Sequence, residues 1–323
     1  MERRRFIESA FAVALTATGS RTWADVYPSR AIHVLVPAPA GGPLDVRMRL
    51  IGEKLSQSLG QQIVVDNKPG ASGTLAGQLV AQAKPDGYTL FMGHSGTHSL
   101  APHLQAKPPY DPLRDFTPVS LVVVSQHFIF VRSDSPIRSV PDLVASARAR
   151  PGALTYGSAG AGSPQHVETA LFLHMTGTTI QHVPYKGSAP TIAALLGGEI
   201  DMAFDAFVPG MEHVRSGRLR VLATTRSRRM AAFPDIPSIA ESVPGYEMKV
   251  WVGMFAPPGT PRDVVAKLNR AFVQALATPE LVKNLQDTGA ETEPLTPDQF
   301  GALVRDEWVK GRRQVEVSGA RQL

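Results

Sequence analysis

Four segments place glycine, serine and other small polar residues where a backbone amide or a hydroxyl can meet a ligand. The first reads Pro37-Ala38-Pro39-Ala40-Gly41-Gly42-Pro43-Leu44-Asp45 and stands between an apolar run and a helical pattern. Paired glycines let N–H groups approach an anion closely, and the helix that follows contributes roughly half a positive charge at its start. The segment is either a carboxylate or phosphate site or a plain strand-to-helix turn with Asp45 as a first-turn acid. Gly93-His94-Ser95-Gly96-Thr97-His98, the stretch from Tyr156 to Ser163, and Pro184-Tyr185-Lys186-Gly187-Ser188 repeat the arrangement. One such loop is commonplace; four together point to a donor-lined cleft that binds an anion. Asp205 closes another apolar stretch, Met202-Ala203-Phe204, where it either accepts from a ligand group or caps the next segment.

Other chemistries fit less well. Gly93-His94-Ser95-Gly96 and Gly157-Ser158-Ala159-Gly160 lack the second glycine of a nucleophile elbow. The order of Gly157, Gly160 and Gly162 reverses the dinucleotide fingerprint, and no G-x-x-x-x-G-K-[ST] occurs. His94, His98 and His103 have no acid beside them, so they read as loop or cap histidines rather than metal ligands. With no cysteine, the chain has no thiol nucleophile, disulfide or Cys-ligated zinc. The arginines between Arg215 and Arg229 lack interleaved aromatics and read as a solvated face rather than a nucleic-acid patch. No metal, no cofactor and no nucleic-acid partner is expected. The enzyme alternative is a secreted serine hydrolase built on Ser95, His98 and Asp205.

The elements that carry these loops alternate regularly. Apolar runs at Ile32–Val36, Ile63–Val65 and Tyr88–Met92 are strands, and Val46–Leu59 and Leu75–Ala83 have helical spacing. The rhythm resumes with strands at Val119–Val124, Phe128–Val131, Leu154–Gly157, Ile180–Val183, Asp201–Phe204 and Leu219–Thr224. Helices stand between them at Val140–Ala149, Gln165–Met175 and Thr191–Leu196. Such alternation predicts βαβ units and a mostly parallel sheet. Phe233–Gly245 is a proline-rich connection, Met248–Phe255 a strand, and three proline-led helices complete the chain. Two α/β lobes follow, the first completed by the C-terminus: residues 25–123 with 228–323, around an inserted lobe of 124–227. The ligand cleft lies between them, at the carboxyl ends of the strands, and the crossings near Ser125 and Arg226 are the hinges.

The 323 residues suit two domains, and 43% apolar with 19% charged residues excludes a disordered chain. Residues 1–24 join Arg3-Arg4-Arg5 to the apolar run Ala10–Ala17 and end Thr22-Trp23-Ala24, the pattern of a secretory signal peptide. Arg3-Arg4-x-Phe6-Ile7 also fits a twin-arginine signal. Setting this segment aside, with its four arginines and two acids, lowers the net charge from +5 to +3. The mature protein is expected to be exported.

Further motifs give the chain a family likeness. Tyr27-Pro28-Ser29-Arg30-x-Ile32, the Pro37 to Asp45 loop, Val65-Asp66-Asn67-Lys68-Pro69-Gly70-Ala71 and Pro85-Asp86-Gly87-Tyr88-Thr89-Leu90 occur in order, followed by Ser95-Gly96-Thr97-His98, Tyr110-Asp111-Pro112 and Tyr156-Gly157-Ser158-Ala159-Gly160. His182-Val183-Pro184-Tyr185-Lys186-Gly187 and Leu195-Leu196-Gly197-Gly198 complete the set. From Tyr27 onward the sequence resembles the receptors of tripartite tricarboxylate transporters, the Bug family of periplasmic solute-binding proteins. The resemblance implies a two-lobed periplasmic-binding-protein fold (type II) that closes on a small carboxylate and delivers it to a two-component membrane permease. It implies a periplasmic monomer, not an enzyme; a same-fold sensor for a signalling partner is the alternative. Two loops would hold the carboxylate: Ala38, Pro39, Ala40, Gly41, Gly42 and Asp45, and Ser158, Ala159, Gly160, Ser163 and His166. Ser95, Thr97, His98, Tyr185, Lys186, Gly187 and Asp205 would stand nearby. Family loops usually carry an aromatic at Ala38 and a hydroxyl at Leu44; their replacement here suggests a ligand with a larger apolar body, such as an aromatic mono- or dicarboxylate.

Overall fold

The computed structural model describes residues 27–230 and 233–319, so the expected leader at 1–24 lies outside the described residues. The first lobe is built from β1 (Ile32–Val36), α1 (Pro43–Leu59), β2 (Ile63–Asn67), α2 (Thr74–Ala81), β3 (Thr89–His94), α3 (Ala101–Leu104) and β4 (Thr117–Ser125). The chain then makes β5 (His127–Arg132), α4 (Val140–Ala149), β6 (Thr155–Ser158), α5 (Pro164–Thr176), β7 (Gln181–Pro184), α6 (Ser188–Gly197), β8 (Met202–Ala206), α7 (Phe207–Arg215) and β9 (Leu219–Thr224). It returns through β10 (Val250–Ala256), α8 (Arg262–Leu276), α9 (Pro279–Asp287), β11 (Ala290–Glu291) and α10 (Pro297–Ser318).

Two sheets result, ordered β11-β4-β10-β3-β1-β2 and β7-β6-β8-β5-β9. The expected two-lobed α/β architecture is present, but the sheets are mixed rather than mostly parallel. β10 pairs antiparallel with β3 and β4, and β5 pairs antiparallel with β8 and β9. The reason is the crossing itself: a strand that re-enters a sheet from the other lobe need not make a right-handed βαβ turn.

Side-chain alternation gives each sheet two buried faces. Val34, Val36, Met92 and Met254 meet Met48 and Ile51 of α1 and Phe272 of α8. Leu35, Phe91 and Phe255 turn the other way, onto Ala76 of α2 and Phe300 of α10. In the second sheet Ile129, Met202 and Phe204 cover α4 and α5, while Phe128, Phe130 and Ala203 cover α6 and α7.

Gln126 and His127, the polar interruption of an apolar run, are where the chain changes sheets. Ser125 still pairs with Val250 and Ala290, and His127 already pairs with Ala206. The Gln126 side chain donates to the Gly289 carbonyl at 2.7 Å. The return is later than expected. Met230, Ile239, Val243, Tyr246 and Met248 all join the second-lobe cores, so residues from Arg228 to Met248 do not belong with the first sheet. Their apolar side chains use the nearest core, the one β9 has just left. The C-terminal helix also spans both lobes: Phe300 and Val304 lie in the first, Val315 in the second. Gly311 permits this, since a Cβ there would lie 2.0 Å from the Ser99 carbonyl oxygen.

Helix limits follow local chemistry. α1 starts at Pro43, three residues before the expected Val46, because a proline at the first helical position has its φ already set. It ends at Gly60 in the left-handed region. α7 was not expected, because Pro209 and Gly210 fall within it. Pro209 lies in the first turn, where its missing N–H is harmless, and Gly210 lies against Phe130, whose ring a Cβ would approach to 2.5 Å.

Candidate functional site

The strand-end loops of the two sheets face each other across a cleft. A Cβ on Gly96 of the first lobe would lie 3.4 Å from Pro164 of the second. Beside α1, Gly41 and Pro43 share a cavity with Val208 of α7.

The first loop is largely satisfied from within. Gly42 N–H donates to the Pro39 carbonyl at 3.2 Å, and Gly41 N–H to Asp45 Oδ2 at 2.8 Å. Arg49 holds the same carboxylate through Nε at 3.1 Å and Nη2 at 3.0 Å. Asp45 is buried, and Arg49 chiefly, with the Gly41 N–H, keeps its carboxyl below the usual carboxylate range. It is the anion at its own helix start. Pro39, Ala40 and Gly41 are exposed to the cleft, whereas Ala38 and Leu44 pack against the first core. Ala38 and Leu44 are half-buried against that core, so the extra pocket space expected from them is not found there.

The second loop contributes less to the cleft than its residue types suggest. Thr97 Oγ1 accepts from His94 N–H and donates to His94 O, at 3.0 and 2.9 Å, and so closes the turn. His98 is fully buried, stacked on Phe255 with ring centroids 3.9 Å apart and enclosed by Phe91, Phe116 and Trp251. Burial, and then neighbouring His94, hold it well below its ordinary value, so it is a neutral core residue. Ser95 is also buried. Thr97 and His98, expected to be ligand residues, position the loop instead. The hydrolase alternative is not assembled either. His98 Nδ1 meets Thr97 Oγ1 rather than Ser95, and Asp205 belongs to the other lobe. His103 bonds the Trp308 carbonyl, away from His94 and His98.

The second lobe brings its expected residues together. Ser163 caps α5 by accepting from His166 N–H, and His166 Nδ1 accepts from Gly162 N–H at 3.0 Å. Neutral His166 thus carries its proton on Nε2. Its ring lies flat on His182 at 4.1 Å, and His182 stacks in turn on Tyr156. Burial lowers His166; burial, then His166, bring His182 down to about 4. Ser158 Oγ sits 2.7 Å from His182 Nε2 and bonds the Gly160 carbonyl at 3.0 Å. Tyr185 N–H donates to Ser158 O and ties on the Tyr185-Lys186-Gly187 loop.

Asp205 stands beside this group. Ser188 Oγ donates to its Oδ1 at 2.6 Å, Ala206 N–H at 2.7 Å and Gln165 Nε2 at 3.4 Å. Burial raises its carboxyl, against the pull of His127 and those donors. Behind it, His127 Nδ1 pairs with Glu168 at 2.6 Å in the interior. Ser188, the last residue of the fourth sequence segment, and His182, the first of a family motif, join the cluster although neither was expected among its ligand residues; Gln165 had no signal beyond its place at a helix start.

Two α/β lobes that present uncharged donors to a shared cleft define a solute-binding receptor, and the fold is that of the periplasmic binding proteins. The chain belongs to the tripartite tricarboxylate transporter family receptors, whose defining pattern matches residues 47–319. The family and the fold are those of substrate-binding proteins, not of enzymes. Protein BugT of Bordetella pertussis (strain Tohama I) is 35% identical over 312 residues, covering 96% of this chain and 95% of BugT. Among solved structures, R. palustris Rpa4515 with adipate superposes with a TM-score of 0.85 at 36% identity, covering 92% of this chain and 100% of that one. MatC (Rpa3494) from Rhodopseudomonas palustris with bound malate gives 0.80 at 34% identity, covering 90% and 100%.

Proposed function

We propose that this protein is a periplasmic receptor that closes on a small organic carboxylate and passes it to a two-component membrane permease. Residues 1–24 direct its export, and the mature chain acts as a monomer. The lobes are residues 27–125 with 249–319, and 126–248. The observation that carries the reading is the second-lobe cluster, where His166 carries its ring proton on an Nε2 that has no partner among the described residues, between the starts of α5 and α6, neither of which has an acid in its first turn. Uncharged donors hold a carboxylate well enough for capture and loosely enough for release. A micromolar dissociation constant is roughly −8 kcal/mol, within reach of a few such bonds and some apolar contact. The adipate and malate carried by the two solved relatives are dicarboxylates, and this chain shares their fold along nearly its whole length.

Calorimetric titration of the mature chain with a panel of mono- and dicarboxylates tests the reading. At least one acid should bind at micromolar concentration, and His166→Phe, which keeps the stacked ring without its nitrogens, should weaken it roughly tenfold. Absence of binding by every acid in the panel would refute it.

A further inference from the structure

A cavity of about 280 Å³ opens beside the first anion loop. Pro43, Val46 and Leu50 of α1 line one side, Leu285 at the end of α9 another, and Val208 reaches it from the second lobe. Gly41 stands at its rim, so the cavity adjoins the cleft. Its surroundings are chiefly apolar; Arg47, Asn284 and Thr288 are the polar side chains, and Arg47 the one charge.

Arg47 differs from its neighbour. Arg49 is engaged by Asp45, whereas Arg47 has no hydrogen-bond or ion-pair partner among the described residues. Burial alone acts on its guanidinium and brings it down to about 10, with no acidic group close enough to oppose the shift. It is still a cation at neutral pH. Arg47 is half-buried, and an uncompensated charge there is unfavourable until an anion arrives. A guanidinium also offers a planar fork that matches a carboxylate by two parallel bonds.

We propose that Arg47 and the cavity it lines form a subsite for the far acidic group of the ligand, its apolar spacer lying against Val46, Leu50 and Val208. The subsite rests on the carboxylate reading of the cleft and deepens it: the preferred ligand is an organic diacid whose two acid groups are separated by an apolar chain or ring. Because Val208 comes from the opposite lobe, the subsite is complete only when the lobes are together.

The experiment is calorimetric titration of the mature chain with acids matched in carbon skeleton: adipate against hexanoate, and terephthalate against benzoate. The wild type should prefer the diacid of at least one pair by roughly 10- to 100-fold, the worth of a hydrogen-bonded charge pair. Arg47→Met should abolish that preference and leave the monoacid unchanged, while Arg47→Lys retains part of it. Retained monoacid binding shows that the variant is folded. A diacid preference that survives Arg47→Met overturns the subsite, as does a wild type that binds diacid and monoacid equally. If no acid of any kind binds the wild type, the reading of the cleft fails, and the subsite with it.

Discussion

The neutral histidines around the cleft make the fold sensitive to acid in a way that can be calculated. His94 accepts from Gly96 N–H through Nδ1 at 3.0 Å, and burial pushes it down to about 4. An unfolded chain takes up this proton near pH 6.5, whereas the folded protein refuses it until about pH 4. The stability it supports is therefore complete above pH 6.5 and is lost as the pH falls toward 4. Between pH 7 and pH 5 one such histidine accounts for about 2 kcal/mol. His182 acts in the same sense but is half-exposed, so solvent screening reduces its share to about half of that. His98, held well below its ordinary value, adds to the loss. His127 has the opposite sign. Burial disfavours its charge, but Glu168 outweighs burial and raises it, so its contribution is present below pH 6.5 and fades as the pH rises through its folded value. Urea unfolding at pH 7 and pH 5, at fixed ionic strength, measures the sum. His94→Asn keeps an acceptor for Gly96 N–H without a titrating ring, and should shrink the loss on acidification by about 2 kcal/mol. An unchanged loss in that variant would refute the assignment of His94 as a neutral, enclosed acceptor.

Two further outcomes are expected. Gly311→Ala places a methyl group 2.0 Å from the Ser99 carbonyl, so α10 must lift from the segment it crosses. Unfolding free energy should fall by roughly 1–3 kcal/mol, read from denaturant midpoints, and a neutral effect would show that the helix is free to move. Glu168→Gln leaves His127 without its buried carboxylate, whose bond is 2.6 Å long. It should lower stability at pH 6 by about 3–5 kcal/mol in thermal or urea melts, and by progressively less as the pH rises and His127 loses its proton; a loss that does not change with pH would contradict a charged pair.

Much of the fold was legible because period and punctuation are local signals. Val34, Val36 and Leu35 alternate across β1 as their spacing suggests, and glycine or proline marks the ends of α1. The strands β4 and β5 could be told apart because Gln126 and His127 break one long apolar run. What failed was pairing and partnership. Strand direction in β10 depends on how the chain re-enters the sheet, and no residue within Val250–Ala256 encodes that. The lobe of Met230–Met248 is set by which core is nearer in space. The site shows the same limit. Small and hydroxylic residues located the strand-end loops, but residue type does not say whether a hydroxyl faces a ligand or its own loop. Thr97 and Ser163 both face their own loops. Arg47 and Arg49 look alike in sequence, and only geometry separates the partnered one from the unpartnered one.

The two sides of the cleft differ in their electrostatics, and the difference bears on where a carboxylate settles. At the start of α1 the positive end of the helix is already answered by Asp45, itself clamped by Arg49. A ligand there meets exposed loop amides but little net field. Neither α5 nor α6 has an acid in its first turn, and Gln165 at one start and Ser188 at the other both reach Asp205. Each start attracts an anion by about 0.3–1 kcal/mol. Asp205 opposes this as a carboxylate, but three donors already occupy its Oδ1 and offset part of its charge. The first carboxylate should therefore be held mainly by the second lobe. The first lobe then supplies the closing surface, with Arg47 as a half-buried cation on that side, unpaired among the described residues. On this division of labour, His166→Phe should weaken monoacids and diacids alike, whereas Arg47→Met weakens diacids alone.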